Sequence, residues 1–449
     1  MLIYFSLQNK KMNKKYFTFS LLLIIMSCSS TKTTTQISFP KEKKPVVTLQ
    51  SNQNLFSGLS EPSICINKSN TQNIVAGSIY NNVYVSKNQG ITWKHKNIQS
   101  TYGVFGDPCL ASDYQGNLYY LHLADPDNNR NSKEFLSSIV IQRSTDNGKT
   151  WNSGTAIGYN PNTIQDKHWI GIDPISGALA VTWTEFDAYE SKNPNDHSRI
   201  LFSRSDDYGK SWSKPISISQ FEGDCLDDDN TTEGAVPVFD KEGNIYVAWA
   251  WNNKIYFDKS MDGGKTWLDQ DIVIANQPEG WNYNIPGVFR ANGMPILCID
   301  NSNSPYAGTL YVNWSDQRNG TDNTDIFISK STNGGKAWQK AKRVNTDKTK
   351  THQFLTWMSI DPTTGNIYIV YYDRKKYKDH KTDVSLSFSN NGGKDFNGMI
   401  ISKKPFTPLK NYFMGDYNNI DAYKGIVTPI WTDFDKNKLS IKTTTYHFK

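Results

Sequence analysis

Six copies of one short motif constrain this chain more than any other feature of its sequence. The segments 86–93, 144–151, 205–212, 260–267, 331–338 and 389–396 each read Ser-x-Asp/Asn-x-Gly-x-x-Trp, with Phe396 closing the last copy. Their starts lie 58, 61, 55, 71 and 58 residues apart. That is the spacing of a repeated supersecondary unit rather than of chance matches. The residue types are those of a hairpin turn. The third-position Asp or Asn can bond the backbone ahead of it, Gly takes a positive φ, and the closing aromatic restarts a strand and packs inward. Asn88, Asn333 and Asn391 replace Asp in three copies and can make the same turn. The motif therefore reads as structural, and chemistry is expected elsewhere.

A second repeat runs ahead of the first. Short apolar stretches end in Asn67, Asp113, Asp173, Asp240, Asp300, Asp361 and Asp421, at intervals of 46, 60, 67, 60, 61 and 60 residues. Seven such ends predict seven units, each an inner strand, a turn, a second strand, a loop, a third strand, the motif turn and an outer strand. This is the four-stranded blade of a propeller. The fold class expected is all-β: one seven-bladed β-propeller over residues 46–449. The seventh unit lacks the motif and ends in a third strand near 439–447, so residues 45–50 are expected to supply its outer strand. Closing the ring in this way removes unpaired sheet edges.

The N-terminus carries a different signal. Lys14 and Lys15 precede an apolar run over 16–26, then Ser27 and Cys28. This has the layout of an export signal, and the run is too short to span a membrane. Residues 25–28, Ile-Met-Ser-Cys, resemble the lipobox of bacterial lipoproteins, in which the cysteine is acylated and becomes the first mature residue. Residues 1–27 are thus expected to be a lipoprotein signal peptide and 28–45 a flexible lipid-anchored tether, since that stretch is rich in Ser, Thr and Lys. The expected location is exported and lipid-anchored, in all expectation the outer membrane, on either side of it. Four lysines lie in residues 1–27, so the formal charge of +6 falls to +2 without them. No strong field then draws nucleic acid, and the expected partner is a glycan, with the membrane reached through the lipid alone and the chain monomeric. Cys65, Cys109, Cys225 and Cys298 allow three disulfide connectivities and fit no zinc spacing. Three of them fall in expected buried strands, which favours free thiols.

In such a blade, the motif turn and the turn after the first strand share one face, so the residues that open the inner strands lie on the other, around the axis. They are Glu61, Asp107, Lys167 with His168, Glu233, Arg290, His352, and Asp416 with Tyr417. Glu61, Asp107 and Lys167 each stand six residues before the strand-ending residue and should point alike. These side chains differ from blade to blade, which a structural ring would not require. Asp107, Glu233 and Asp416 are the candidate acids and bases, Tyr417 a catalytic partner, and Arg290, Arg318 and Arg374 a candidate bidentate clamp for a substrate carboxylate. Glu61, Lys167 and His352 complete the substrate-binding set. Acids after the second strands, Glu185, Asp316, Asp373 and Asp433, repeat and so read as turn caps. No cofactor is expected. One loop gathers Glu222, Asp224, Asp227, Asp228 and Asp229, a candidate seat for Ca²⁺.

The six motifs resemble the Asp-box, also called the BNR repeat, of the sialidase (neuraminidase) superfamily of propellers, over about residue 55 to the end. The resemblance implies a propeller, six-bladed in typical sialidases, and an exo-alpha-sialidase-like glycoside hydrolase. Family enzymes use an arginine triad, a Tyr and Glu pair and an Asp acid/base, with the first arginine in Phe/Tyr-Arg-Ile-Pro. Here the first blade opens with Glu61, Pro62 and Ser63, without that motif. A non-catalytic glycan- or protein-binding propeller and a polysaccharide lyase therefore stand as alternatives.

Overall fold

The computed structural model describes residues 39–51, 58–435 and 437–448. The expected signal peptide, Cys28 and most of the expected tether lie outside them. Among the described residues there is no helix, and seven blades are present: six four-stranded sheets and a six-stranded closing sheet, beside one two-stranded hairpin. Their inner strands are Ser63–Ile66, Cys109–Ser112, Ile164–Ile172, Glu233–Phe239, Ile296–Ile299, Gln353–Ile360 and Asn419–Tyr423. Each sheet is an antiparallel meander, apart from the last. Second strands lie mid-sheet and are buried on both faces, so they read as nearly continuous apolar runs. Leu179–Phe186 is buried at every position. Outer strands are short, and two of them, Lys94–Asn97 and Lys342–Arg343, are charged, which blunts those exposed edges.

The seventh blade closes the ring as the sequence suggests. Val47–Leu49 pairs with Lys438–Thr443 as its fourth strand. Blade seven also bonds blade one, since the Ile66 amide donates to Asp421 Oδ2 at 2.8 Å and that of Ile64 to Asn419 Oδ1 at 3.3 Å. Two details differ from expectation. Glu42–Lys43 pairs with Tyr446–His447, and Phe39 meets Phe388 edge-on at 5.5 Å. The last residues of the expected tether are thus held on the propeller, because the backbone of Tyr446–His447 offers them hydrogen bonds. The expected third strand is also split, into Lys438–Thr443 and Tyr446–His447.

The six motif turns are built alike. In the second, Asp146 Oδ1 accepts the amides of Lys149 and Thr150 at 3.0 and 2.9 Å, the Ser144 hydroxyl receives the Gly148 amide at 3.0 Å, and Gly148 has φ of 78°. Asn88, Asn333 and Asn391 each accept the equivalent amide four residues on, at 2.9 to 3.0 Å. The strand-ending acids cap the other turn of the same face, as Asp113 does by accepting the amides of Gln115 and Asn117. Asn67 in one blade reaches Asn147 in the next blade's motif, at 3.1 Å.

Inside the ring, the seven inner strands enclose a channel of about 260 Å³. Trp169 and Trp357 line it, with ring centroids 4.4 Å apart, and Tyr417 packs edge-on against Trp169 at 5.0 Å. Cys65, Cys109 and Cys298 also line it, and these thiols, with Cys225, are free.

Candidate functional site

Above that aromatic layer, on the face opposite the motif turns, the residues that open the inner strands meet. A recurring backbone device places them. Glu61, Asp107 and Lys167 have φ of 51°, 53° and 49°, and Leu355, Gly234 and Gly415 at the matching positions also have positive φ. Each stands six residues before its strand-ending residue. The strand register shifts between Asp166 and Trp169, between Glu233 and Val236, and between Phe354 and Trp357. The left-handed residue thus belongs to a bulge that re-aims side chains toward the axis. Holding Glu, Asp and Lys in this region is strained, a feature that concentrates at functional sites.

Asp416 is the hub. Its carboxylate takes the Lys167 ammonium at 2.8 Å and the Arg290 Nε at 2.8 Å, with a second bond from Arg290 Nη2. Its backbone amide donates to Glu61 Oε1 at 3.3 Å, and Asn292 Nδ2 donates to its carbonyl at 2.9 Å. Lys167 also stands 3.6 Å from Asp107 and 4.0 Å from Asp166. Arg290 arrives on an inserted hairpin, Asn282–Tyr283 paired with Ala291–Asn292, which accounts for the longest motif interval. Its other arm meets Asp227 at 2.5 Å, and Asp227 accepts the Tyr189 hydroxyl at 2.7 Å. Phe413 lies under the guanidinium, 5.1 Å away.

These contacts sort the acids. Burial pushes the Asp416 carboxyl up, but Arg290 and Lys167 overcome it and hold the group well below the usual carboxylate range. Asp416 is thereby held toward its anionic form in two ion pairs. Burial, reinforced by Asp107, pushes Glu61 well up, and burial with Asp227 does the same to Glu233. Glu233 is 0% exposed and neither carboxyl oxygen has a hydrogen-bond partner. Tyr417 belongs to the aromatic layer, and its buried hydroxyl is pushed up first by that burial. Asp107 remains, its side chain 12% exposed.

The residue that sequence reading missed is Asp166, whose side chain is 14% exposed. Burial, with Asp107 and Asp227 adding and Lys167 opposing, pushes it up to about 7. Strand alternation sends neighbours to opposite faces, so choosing Lys167 excluded Asp166. The bulge brings both to one site. Asp227, read as a calcium candidate, is an ion-pair partner, and Tyr189 gave no sequence signal.

The remaining candidates go elsewhere. Arg318 folds back on Asp316 at 2.9 Å and over Phe327 at 4.3 Å. Arg374, lowered to about 10 by burial, donates to Thr382 at 3.0 Å and to the Pro286 carbonyl at 2.8 Å. The three arginines thus have separate partners and form no joint clamp. His352 pairs with Thr324 at 3.0 Å and is pushed down to about 4 by burial and by Arg374. His168 is pushed down to about 3, chiefly by burial. The acidic loop also disperses, with Asp224 taking the Thr231 hydroxyl at 2.8 Å and Asp229 the Asn282 amide at 2.9 Å. Among the described residues, no group of three or more His, Cys, Asp or Glu side chains has metal-holding geometry.

No family model matches the chain. A curated sialidase of Bacteroides fragilis is 24% identical over 188 residues, 34% of this chain, and the match spans about a third (31%) of that relative's length. Among solved structures, a protein of unknown function from Dyadobacter fermentans is similar with TM-score 0.52 at 15% identity, over 91% of this chain and 99% of that one. The NanB sialidase of Streptococcus pneumoniae aligns with TM-score 0.49 at 12% identity, covering 84% of this chain and 83% of its own.

Proposed function

Starting from a propeller that is sialidase-like in its repeats and fold, we propose that this protein is a glycoside hydrolase of the cell envelope that uses Asp166 and Asp107. One observation carries the reading. Both carboxyl groups are mostly buried, 12% and 14% exposed, and lie within 4.0 Å of the same ammonium, so they are at most about 8 Å apart, within the span of glycosidase carboxylate pairs. Asp166, pushed up to about 7, is suited to carry a proton at neutral pH. It would protonate the leaving glycosidic oxygen as the bond from the anomeric carbon breaks. Asp107 would attack that carbon, or take a proton from the water that does. Lys167 and Arg290 hold Asp416 between them and fix the floor of the site. A non-catalytic glycan binder is the second reading, favoured by the absence of a free arginine clamp.

A glycan screen of the full-length protein tests this. Asp166→Asn should lower kcat at least about a hundredfold, the scale of acid/base catalysis. The wild-type rate should fall as pH rises through 7, because the acid form of Asp166 is then lost. Asp107→Asn should lower kcat comparably. Unchanged turnover in both variants removes the assignment.

We also propose that the propeller, a monomer with a glycan partner and no nucleic acid, is held in the outer membrane by a lipid on Cys28. Cys28→Ala should then move the protein from the membrane fraction to the soluble exported fraction. A variant that stays with the membrane overturns the lipoprotein reading.

A further inference from the structure

The axial cluster has more carboxyl groups than cations. Glu61, Asp107, Asp166, Asp227, Glu233 and Asp416 supply six carboxyl groups, against Lys167 and Arg290. Setting aside Glu61 and Glu233, whose carboxyls burial pushes well up, four aspartates still share two cations. Both cations are already committed, Lys167 closest to Asp416 with Asp107 and Asp166 at 3.6 and 4.0 Å, and Arg290 to Asp416 and Asp227. Three groups are buried with oxygens that lack a hydrogen-bond partner: Asp107 Oδ2, Asp227 Oδ1 and both oxygens of Glu233. Buried acceptors of this kind are costly unless a donor reaches them.

A sugar carboxylate brings only acceptors. To bind here it would have to displace Asp416 or Asp227 from Arg290, leaving a buried charge unpaired. An ammonium group brings three donors and a positive charge. The rim suits a sugar ring, since Phe289 is 55% and Tyr189 40% exposed, and Phe289 packs edge-on against Phe413 at 5.8 Å.

We infer that the pocket is built for a sugar residue bearing a free amino group, whose ammonium sits among Asp107, Asp166 and Asp227, and not for a sugar bearing a carboxylate. The inference rests on the glycan-active reading and departs from the acidic glycan that the family resemblance implies. Only Asp107 and Asp166 are needed at the mouth, and Glu233 acts through the field it adds behind them.

The test is calorimetric titration of the full-length protein at low salt with three probes: a glucosamine tetramer, the N-acetylglucosamine tetramer and sialyllactose. The glucosamine tetramer should bind at least tenfold more tightly than either of the others, and its affinity should fall as salt is raised. Asp107→Asn and Asp166→Asn should each weaken it at least tenfold. Circular dichroism on each variant separates lost binding from lost fold, and the salt dependence of wild type tests the inference without any variant. Equal or tighter binding of the acetylated or sialylated probe overturns it, as does binding of none. Cleavage of a neutral or acidic glycan without preference for the amine overturns it and leaves the hydrolase reading standing. Tight binding of the amine without turnover of any glycan upholds it and removes the hydrolase reading.

Discussion

The two faces of the propeller use the same acids in opposite ways. On the motif face, Asp207 accepts two backbone amides at 2.9 and 3.0 Å and the Ser211 hydroxyl at 2.6 Å, and that hydroxyl leads in bringing it down to about 2. On the axial face, burial leads in pushing Asp166 up to about 7, and the Glu233 carboxyl has no hydrogen-bond partner. The difference is one of supply. A motif turn folds its own donors around its carboxylate within five residues. The axial layer collects carboxyl groups from several blades and two loops, with two cations among them. Local satisfaction makes a strut, and long-range convergence with too few donors makes a site that wants a ligand.

Removing the main axial donor should have the largest effect. Arg290→Ala leaves Asp416 and Asp227, 1% and 6% exposed, without their guanidinium. Breaking a buried pair from one side costs about 3 to 5 kcal/mol, and the partial exposure of Arg290 and the surviving Lys167 contact place the expected loss near about 3. Denaturant unfolding of this variant beside Asp207→Ala, where about 1 kcal/mol is expected from lost hydrogen bonds, reads the contrast directly. Equal losses would mean that the two faces are energetically alike.

The same contrast governs what was legible in the sequence. Turn chemistry is local, so the six motifs, the seven strand-ending residues and the closure by Val47–Leu49 could be read from spacing alone. The axial opening of Glu61, Asp107 and Lys167 was legible for the same reason, since their six-residue offset repeats. What went unread depends on geometry without a period. The bulge that turns Asp166 inward, the hairpin that carries Arg290 across to Asp416, and the loop that gives Asp227 to Arg290 leave no repeated mark. Ionisation was also out of reach, because it turns on Asp416 bonding Lys167 and Arg290 directly while the Glu233 carboxyl bonds neither.

A smaller effect is expected at the seam between blades on the motif face. Trp267 meets Phe202 of the preceding blade edge-on at 5.0 Å and donates to the Gly264 carbonyl at 3.2 Å, but it is only half-buried. A fully buried tryptophan truncated to alanine costs about 3 to 5 kcal/mol, and half-burial brings the expected loss for Trp267→Ala to about 2. Unfolding should stay cooperative, since the ring of sheets remains closed. A loss as large as that of Arg290→Ala would show that the motif face also depends on long-range packing.

The smallest effect should come from Asp207→Asn, which asks whether the motif needs a charge. Three of the six motifs already carry Asn, and Asn88 shows the substitute geometry: Oδ1 takes the Thr92 amide at 2.9 Å while Nδ2 donates to the Thr92 hydroxyl at 2.9 Å. In Asp207→Asn the new amide should donate to the Ser211 hydroxyl in the same way, so at pH 7 the change should lie within about 0.5 kcal/mol. Acid should then separate the two proteins. Asp207 is depressed to about 2 in the fold, against about 3.9 in an unfolded chain. Its ionic contribution is therefore fully present above about pH 4 and is lost as pH falls toward 2. Asn has no such dependence, so denaturation midpoints measured at pH 7 and pH 3 should shift in the variant's favour at the lower value. If the variant loses more than about 1.5 kcal/mol at pH 7, the carboxylate is required for more than its turn, and the division between the two faces does not hold.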